Sequence, residues 1–231
     1  MNRDRRGTRG RSTIQAVLTA IVWASAASAH ADVSCAPPTG AEARLGEIDG
    51  RARLEWIDHR LSHEAPRMSW WNWGWGIGIG AAGVGTLIAA PFAAPADRID
   101  YYTGAGAAAI GILPFFLAPP LVIADSRELH AKLVGAPPRN DAEVCRLLAD
   151  AEQKLVRDAR NQHATTAWWA HVGNAVFNAG IVLFEGLGFN HWTGGLINGI
   201  SGAAVGEAVI FTQPTRTIHD LAAYNRGDLN Q

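Results

Sequence analysis

Four stretches of the chain, residues 70–92, 101–123, 167–187 and 191–212, are long and apolar enough to cross a bilayer. No other feature restricts the fold as tightly, because hydrocarbon offers no partner for backbone N–H and C=O groups and admits only helices or closed barrels. A barrel strand needs about 10 residues of sustained alternation. Only the run Trp73-Gly74-Trp75-Gly76-Ile77-Gly78-Ile79-Gly80 alternates, so helices are expected throughout. The first two stretches carry no charge, whereas the third holds His171 and Glu185 and the fourth His191 and Glu207.

The chain also repeats itself. Ala36-Pro37-Pro38 with Ala41-Glu42 recurs as Ala136-Pro137-Pro138 with Ala142-Glu143, and Trp70-Trp71 recurs as Trp168-Trp169. Tyr102-Thr103-Gly104 returns as Trp192-Thr193-Gly194, and Ser126-Arg127-Glu128-Leu129-His130 as Thr215-Arg216-Thr217-Ile218-His219. The order of these landmarks predicts an all-α membrane protein: four transmembrane helices as two tandem hairpins, each preceded by an amphipathic extramembrane helix. The first repeat unit takes residues 32–132, with a leading helix over 41–65 and a membrane hairpin over 70–123. The second takes 133–231, with a leading helix over 141–163, a hairpin over 167–212 and a C-terminal tail. Val144, Leu147, Leu148, Ala151, Leu155 and Ala159 recur at helical spacing, as do Leu54, Ile57 and Leu61. Each apolar stripe needs a partner, and the simplest is its copy in the other unit.

Residues 1–31 read as an export signal: Arg3, Arg5, Arg6, Arg9 and Arg11, then an apolar run over 16–28, then Ala29-His30-Ala31. Export and an even number of spans place both termini in the periplasm of a multi-pass protein of the bacterial inner membrane. The positive-inside rule argues the other way, since the hairpin turns hold only Arg98 among the basic residues. Long segments translocate largely regardless of charge, so the signal decides the orientation. Cys35 and Cys145 then share the oxidising side, and a disulfide between them is expected.

On the third span His171, Asn174, Asn178 and Glu185 fall within about 60° of one another, a candidate path for a proton or ion. Two alternatives stand beside it: asparagines bonding neighbouring helices, and His171 and Glu185 at opposite interfaces. Glu207 points away from this stripe, to snorkel or pair with a neighbour. Gly76, Gly80 and Gly83 share a face of the first span, and Gly195, Gly199, Gly202 and Gly206 a face of the fourth, as small residues do where helices pack closely. Trp70, Trp71, Trp168 and Trp169 suit the membrane interface. Aligning the tryptophan pairs sets Gly76 opposite Asn174 and Gly80 opposite Asn178, close approach in one copy against amide hydrogen bonds in the other.

Weak metal candidates are Glu55, His59 and His63, four apart on the first leading helix, and the equivalent pair His130 and His219, which also suits haem. No metal or cofactor is assigned from them, a solvated helix face accounting for the first group and helix-terminal positions for the second. The sequence has no phosphate-binding glycine loop, nucleophile elbow, zinc-protease helix or thiol-redox pair, which removes any basis for naming an enzyme. A formal net charge of −1 gives no reason to expect nucleic acid. The expected role is a non-enzymatic membrane scaffold or partner subunit, in contact with the lipid bilayer and with other membrane proteins or itself. A small channel or transporter using the polar stripe is the alternative, and a haem- or metal-binding redox subunit a weaker one.

Overall fold

The computed structural model describes residues 32–230, so the expected signal over residues 1–31 lies outside the described residues. All regular structure among them is helical: α1 (Ala43–Gly46), α2 (Gly50–Ala89), α3 (Arg98–Leu117), α4 (Leu121–Gly135), α5 (Asp141–Thr166), α6 (Trp168–Phe189), α7 (Trp192–Thr212) and α8 (Arg216–Asn225). A single 3-10 turn, Ala90–Phe92, follows α2. Four helical segments are long and apolar enough to cross a membrane, beginning at Gly50, Arg98, Trp168 and Trp192.

Two boundaries differ from expectation. The first leading helix does not stop near residue 65; α2 runs through 40 residues, with Pro66 inside it, into the first apolar stretch. Proline removes one backbone hydrogen bond but leaves the helix able to continue where neighbouring packing holds it. In the second half the break is real: Ala167, at φ −75° and ψ 164°, separates α5 from α6. The second apolar stretch likewise ends at Leu117, and residues 121–123 open α4.

The apolar helices pair by adjacency. Gly76 lies against Phe115 and Gly83 against Ala108, so α2 and α3 run antiparallel. Gly195 lies against Glu185 and Gly206 against Asn174, which makes α6 and α7 antiparallel too. The turn between these last helices is tight because Asn190 adopts the left-handed conformation at φ 57° and the His191 N–H returns to Glu185 O at 3.0 Å.

At the other end, the start of α2 with α1, α4, α5 and α8 forms a head around a single core. Leu54, Ile57 and Leu61 of α2 meet Val144, Leu148, Ala151 and Leu155 of α5, closed by Leu129 and Tyr224. Asn140 caps α5 by accepting from Glu143 N at 2.9 Å, and Glu143 reaches back to Arg139 N at 2.8 Å. Asp49 caps α2 by accepting from Arg51 N and Ala52 N at 2.8 and 3.0 Å. Cys35 and Cys145 are disulfide-bonded with Cα atoms 5.4 Å apart, as the sequence leads one to expect. The described chain begins and ends in this head, where Glu42 N donates to Asn225 O at 2.8 Å.

The head encloses charge. Arg53, 0% exposed, donates to Cys35 O at 2.9 Å, to Tyr224 Oη at 3.0 Å and to Glu152 Oε1. Removing one partner of such a pair strands the other in a poorly solvated site, at about 3–5 kcal/mol. Glu152→Ala is therefore expected to destabilise the protein by about that amount in denaturant titrations in micelles, whereas Glu143→Ala, which loses an exposed cap, costs about 1 kcal/mol.

Nearby, Asp125 accepts from Arg157 Nε at 3.2 Å and Nη2 at 2.5 Å, and buried Asp158 lies beside it. Burial, reinforced by the Asp125 carboxylate, pushes the Asp158 carboxyl up to about 8 from 3.8. The folded protein thus keeps a proton that the unfolded chain releases, so stability present below pH 4 is lost as pH rises toward 8. Unfolding midpoints measured between pH 5 and pH 8 should fall in the parent protein and fall less steeply in Asp158→Asn.

Candidate functional site

The polar side chains of the apolar helices gather into two groups. In the group nearer the head, His171 Nδ1 lies 2.5 Å from Glu207 Oε2, and Asn174 Nδ2 donates to Glu207 Oε1 and Ala203 O, each at 2.9 Å. Asn178 Nδ2 in turn donates to Asn174 Oδ1 at 2.8 Å and to Asn174 O at 2.9 Å. Of the two courses open to Glu207 it takes pairing with a neighbour, because α7 crosses α6 with residue 207 beside residues 171 and 174. Glu185 belongs to the other group, where Asn198 Nδ2 bridges Glu185 Oε1 at 2.7 Å and Asp100 O at 2.8 Å, and His191 Nδ1 meets Asp100 Oδ1 at 3.0 Å. His171, Asn174 and Asn178 are thus brought together without Glu185.

Glycine makes this seam possible. A Cβ at Gly199 would meet Val182 Cγ2 and come 2.9 Å from Asn178 O, and one at Gly202 or Gly206 would collide with the Asn178 or Asn174 amide oxygen. A Cβ at Gly195 would lie 3.0 Å from Val182 O, so all four glycines of that face pack against α6. The α2 face is less uniform: Gly76 would meet Phe115 at 3.3 Å and Gly83 would meet Ala108 Cβ at 2.7 Å, but Gly80 has nothing within 4 Å. Asn72, one turn before Gly76, donates to Phe115 O at 3.1 Å, so the first pair also uses an amide bond. The expected contrast between a glycine copy and an asparagine copy is corrected to that extent.

Between the two helix pairs lies a cavity of about 710 Å³ walled by all four apolar helices. Ile79, Phe177, Ile181, Val205 and Ile210 supply much of its surface, with Asn72, Asn174, Asn178, Asn198 and Ser201 as polar points. It runs along α2 from Trp71 to Thr86, about 22 Å at 1.5 Å per residue. Asn161, Thr165 and Gln213 line it at the head end, and Asn178 Oδ1 in its wall is buried without a hydrogen-bond partner.

The tryptophans sit at the head end of the apolar helices. Trp70, Trp168 and Trp169 are 80%, 70% and 51% exposed, whereas Trp71 and Trp75 turn inward and donate to Thr212 Oγ1 at 3.3 and 2.9 Å. Phe92, Tyr102, Phe189 and Trp192 are exposed at the opposite end. Residues 70 and 92 are about 33 Å apart along a helix, close to the ~30 Å hydrocarbon thickness.

Glu55, His59 and His63 all lie on an exposed face of α2, the two rings 6.4 Å apart. His130 Nδ1 is 3.1 Å from Asp58 Oδ2, and His219 is exposed on α8. The Asp100, His191 and Asn198 grouping has no sequence signal, because its members come from α3, the α6–α7 turn and α7, and its geometry depends on how the pairs meet. The chain matches no known protein family, no curated protein and no solved structure.

The glycine contacts separate two outwardly similar substitutions. Gly199→Ala should lower the thermal midpoint, with an overpacking cost of about 1–3 kcal/mol, whereas Gly80→Ala should leave it unchanged or raise it. Circular-dichroism melts of the two variants in micelles check the difference.

Proposed function

We propose that this chain is a membrane-embedded, non-enzymatic binding scaffold, built by duplication of one helical-hairpin unit, that holds the hydrocarbon chain of a lipid between its two hairpins. The observation that carries this is the 710 Å³ cavity and its predominantly apolar lining, at the depth where the surrounding solvent is itself hydrocarbon. Its length of about 22 Å exceeds one leaflet of a ~30 Å core, so it accommodates a long chain lying between the helix pairs. The mouth residues Asn161, Thr165 and Gln213 carry no formal charge and suit a neutral hydrogen-bonding group at the chain's polar end.

Duplication is supported by the ordered sequence landmarks, by the packing of α2 on α5, and by a short helix following each pair, α4 and α8. Placement in a bacterial inner membrane with the head in the periplasm is supported by the arginine-led N-terminus and by the Cys35–Cys145 bond, which suits an oxidising compartment. A channel is less well supported, since His171, Asn174 and Glu207 bond to one another and Asn178 donates to Asn174, leaving only Asn178 Oδ1 of this group buried without a partner.

Native mass spectrometry of the protein released from mild detergent tests this. Retained lipid is expected, and Ala107→Phe combined with Val205→Trp, which fill the cavity from α3 and α7, should reduce it at least fivefold while the circular-dichroism melt is preserved. Retention unchanged in the filled variant overturns the proposal.

A further inference from the structure

At the end of the apolar helices away from the head, Asp97, Asp100 and His191 converge, with Glu185 beside Asp100. Asp97 precedes α3, Asp100 lies in its first turn, His191 sits in the turn between α6 and α7, and Glu185 comes from the last part of α6. One ligand atom each from Asp97, Asp100 and His191 lie within 4.8 Å of one another. Gly194 is what permits the approach, because a Cβ there would collide with the Asp100 carboxylate.

A cluster of this kind at a surface needs nothing bound to it. The second observation is Glu185: the residue is 0% exposed, its Oε2 has no hydrogen-bond partner, and it faces Asp100 and Thr103, whose buried Oγ1 is also unpartnered. Asn198 fixes this arrangement by donating to both Glu185 Oε1 and Asp100 O. A buried carboxylate oxygen beside a second carboxylate is costly without a compensating cation, and Arg98, the basic residue nearest in sequence, instead donates to Ala93 O and Pro91 O.

We propose that Asp97, Asp100 and His191, with the buried Glu185 carboxylate beside Asp100, form a binding site for a first-row divalent transition-metal ion. An ion with ligand distances of about 2.1–2.4 Å separates its ligands by about 3 Å cis and about 4–5 Å trans. The 3.0 Å between His191 Nδ1 and Asp100 Oδ1, and separations of no more than 4.8 Å among the Asp97, Asp100 and His191 ligand atoms, are compatible with that range. On binding, the imidazole lone pair and the Asp100 carboxylate turn to the ion instead of to each other. The imidazole selects Mn²⁺, Co²⁺ or Zn²⁺ over Ca²⁺ and Mg²⁺, which prefer all-oxygen sets. The bound ion joins the α2–α3 turn to the α6–α7 turn, bracing the two pairs at the end opposite the disulfide.

Titration of the full chain in lipid nanodiscs with Zn²⁺ and Mn²⁺, using protein purified without a histidine tag, tests this. One equivalent of saturable binding is expected, with a raised thermal midpoint. Asp97→Asn and His191→Gln should each weaken binding at least tenfold, and His59→Ala with His63→Ala should leave it unchanged. Binding that survives both site variants, binding lost with His59 and His63, equal competition by Ca²⁺, or no saturable binding overturns the proposal. Asp97 is exposed at a turn, so its variant keeps the test decisive if His191→Gln does not fold.

Discussion

The head depends on Arg53. A guanidinium with no exposed surface must find acceptors in the protein, and it finds them on three separate parts of the chain: Cys35 O in the N-terminal segment, Glu152 on α5 and Tyr224 on α8. These partners lie 18, 99 and 171 residues away in sequence, so the charge is fully compensated only when the N-terminal segment, α5 and α8 have met the start of α2. The disulfide ties two of the same parts together. Cross-linking residues 110 apart restricts the unfolded chain by about 4–5 kcal/mol on the loop-entropy account. Gly50 sits against this bond, where a Cβ would come within 2.7 Å of Cys35 Sγ, so the start of α2 is fitted to the cross-link.

Because the head fixes one end of the apolar helices, the helices themselves need few contacts between pairs. In hydrocarbon no burial of apolar surface drives helices together, and association rests on close approach and hydrogen bonding. Within α6–α7 both devices operate, glycine against the Asn174 and Asn178 amides. Within α2–α3 they operate at Asn72, Gly76 and Gly83. Between the pairs the facing walls mix the larger Ile79, Phe177, Ile181 and Val205 with small residues such as Ala107, Gly111 and Ser201. The close approaches at Gly76, Gly83, Gly195, Gly199, Gly202 and Gly206 are all made within a pair, and the space between the pairs stays open.

Much of this was legible in the sequence. Absence of charge over two long stretches located the first two spans, and the α7 glycine face was visible as a spacing that survives whatever it packs against. Cysteine pairing followed from topology alone. Other features depended on tertiary context. Continuity of α2 through Pro66 was hidden, because a proline before a tryptophan pair looks like a boundary and only packing against α4 and α5 decides that it is not. The partner of Glu207 was left open because helical angles measured on one span say nothing of how its neighbour is rotated, and the structure supplies His171 and Asn174. The group formed by Asp100, Asn198, Glu185 and His191 joins residues up to 98 apart and carries no periodic signature at all.

The head and the cavity are linked through α5. Asp158, buried and protonated at neutral pH because of its burial and the neighbouring Asp125, lies three residues, nearly one helical turn, before Asn161 at the cavity mouth. Gln162, on the same turn, holds the start of α8 by accepting from Thr217 N at 3.1 Å and donating to Thr217 Oγ1 at 2.9 Å. An ionised Asp158 would place a buried negative charge, only partly offset by Lys154 and Arg157, behind a cavity end otherwise lined by amides and a hydroxyl. Keeping its proton leaves that end of the cavity without an added negative charge, so the same burial that costs the head stability at high pH keeps the surroundings of Asn161 closer to neutral.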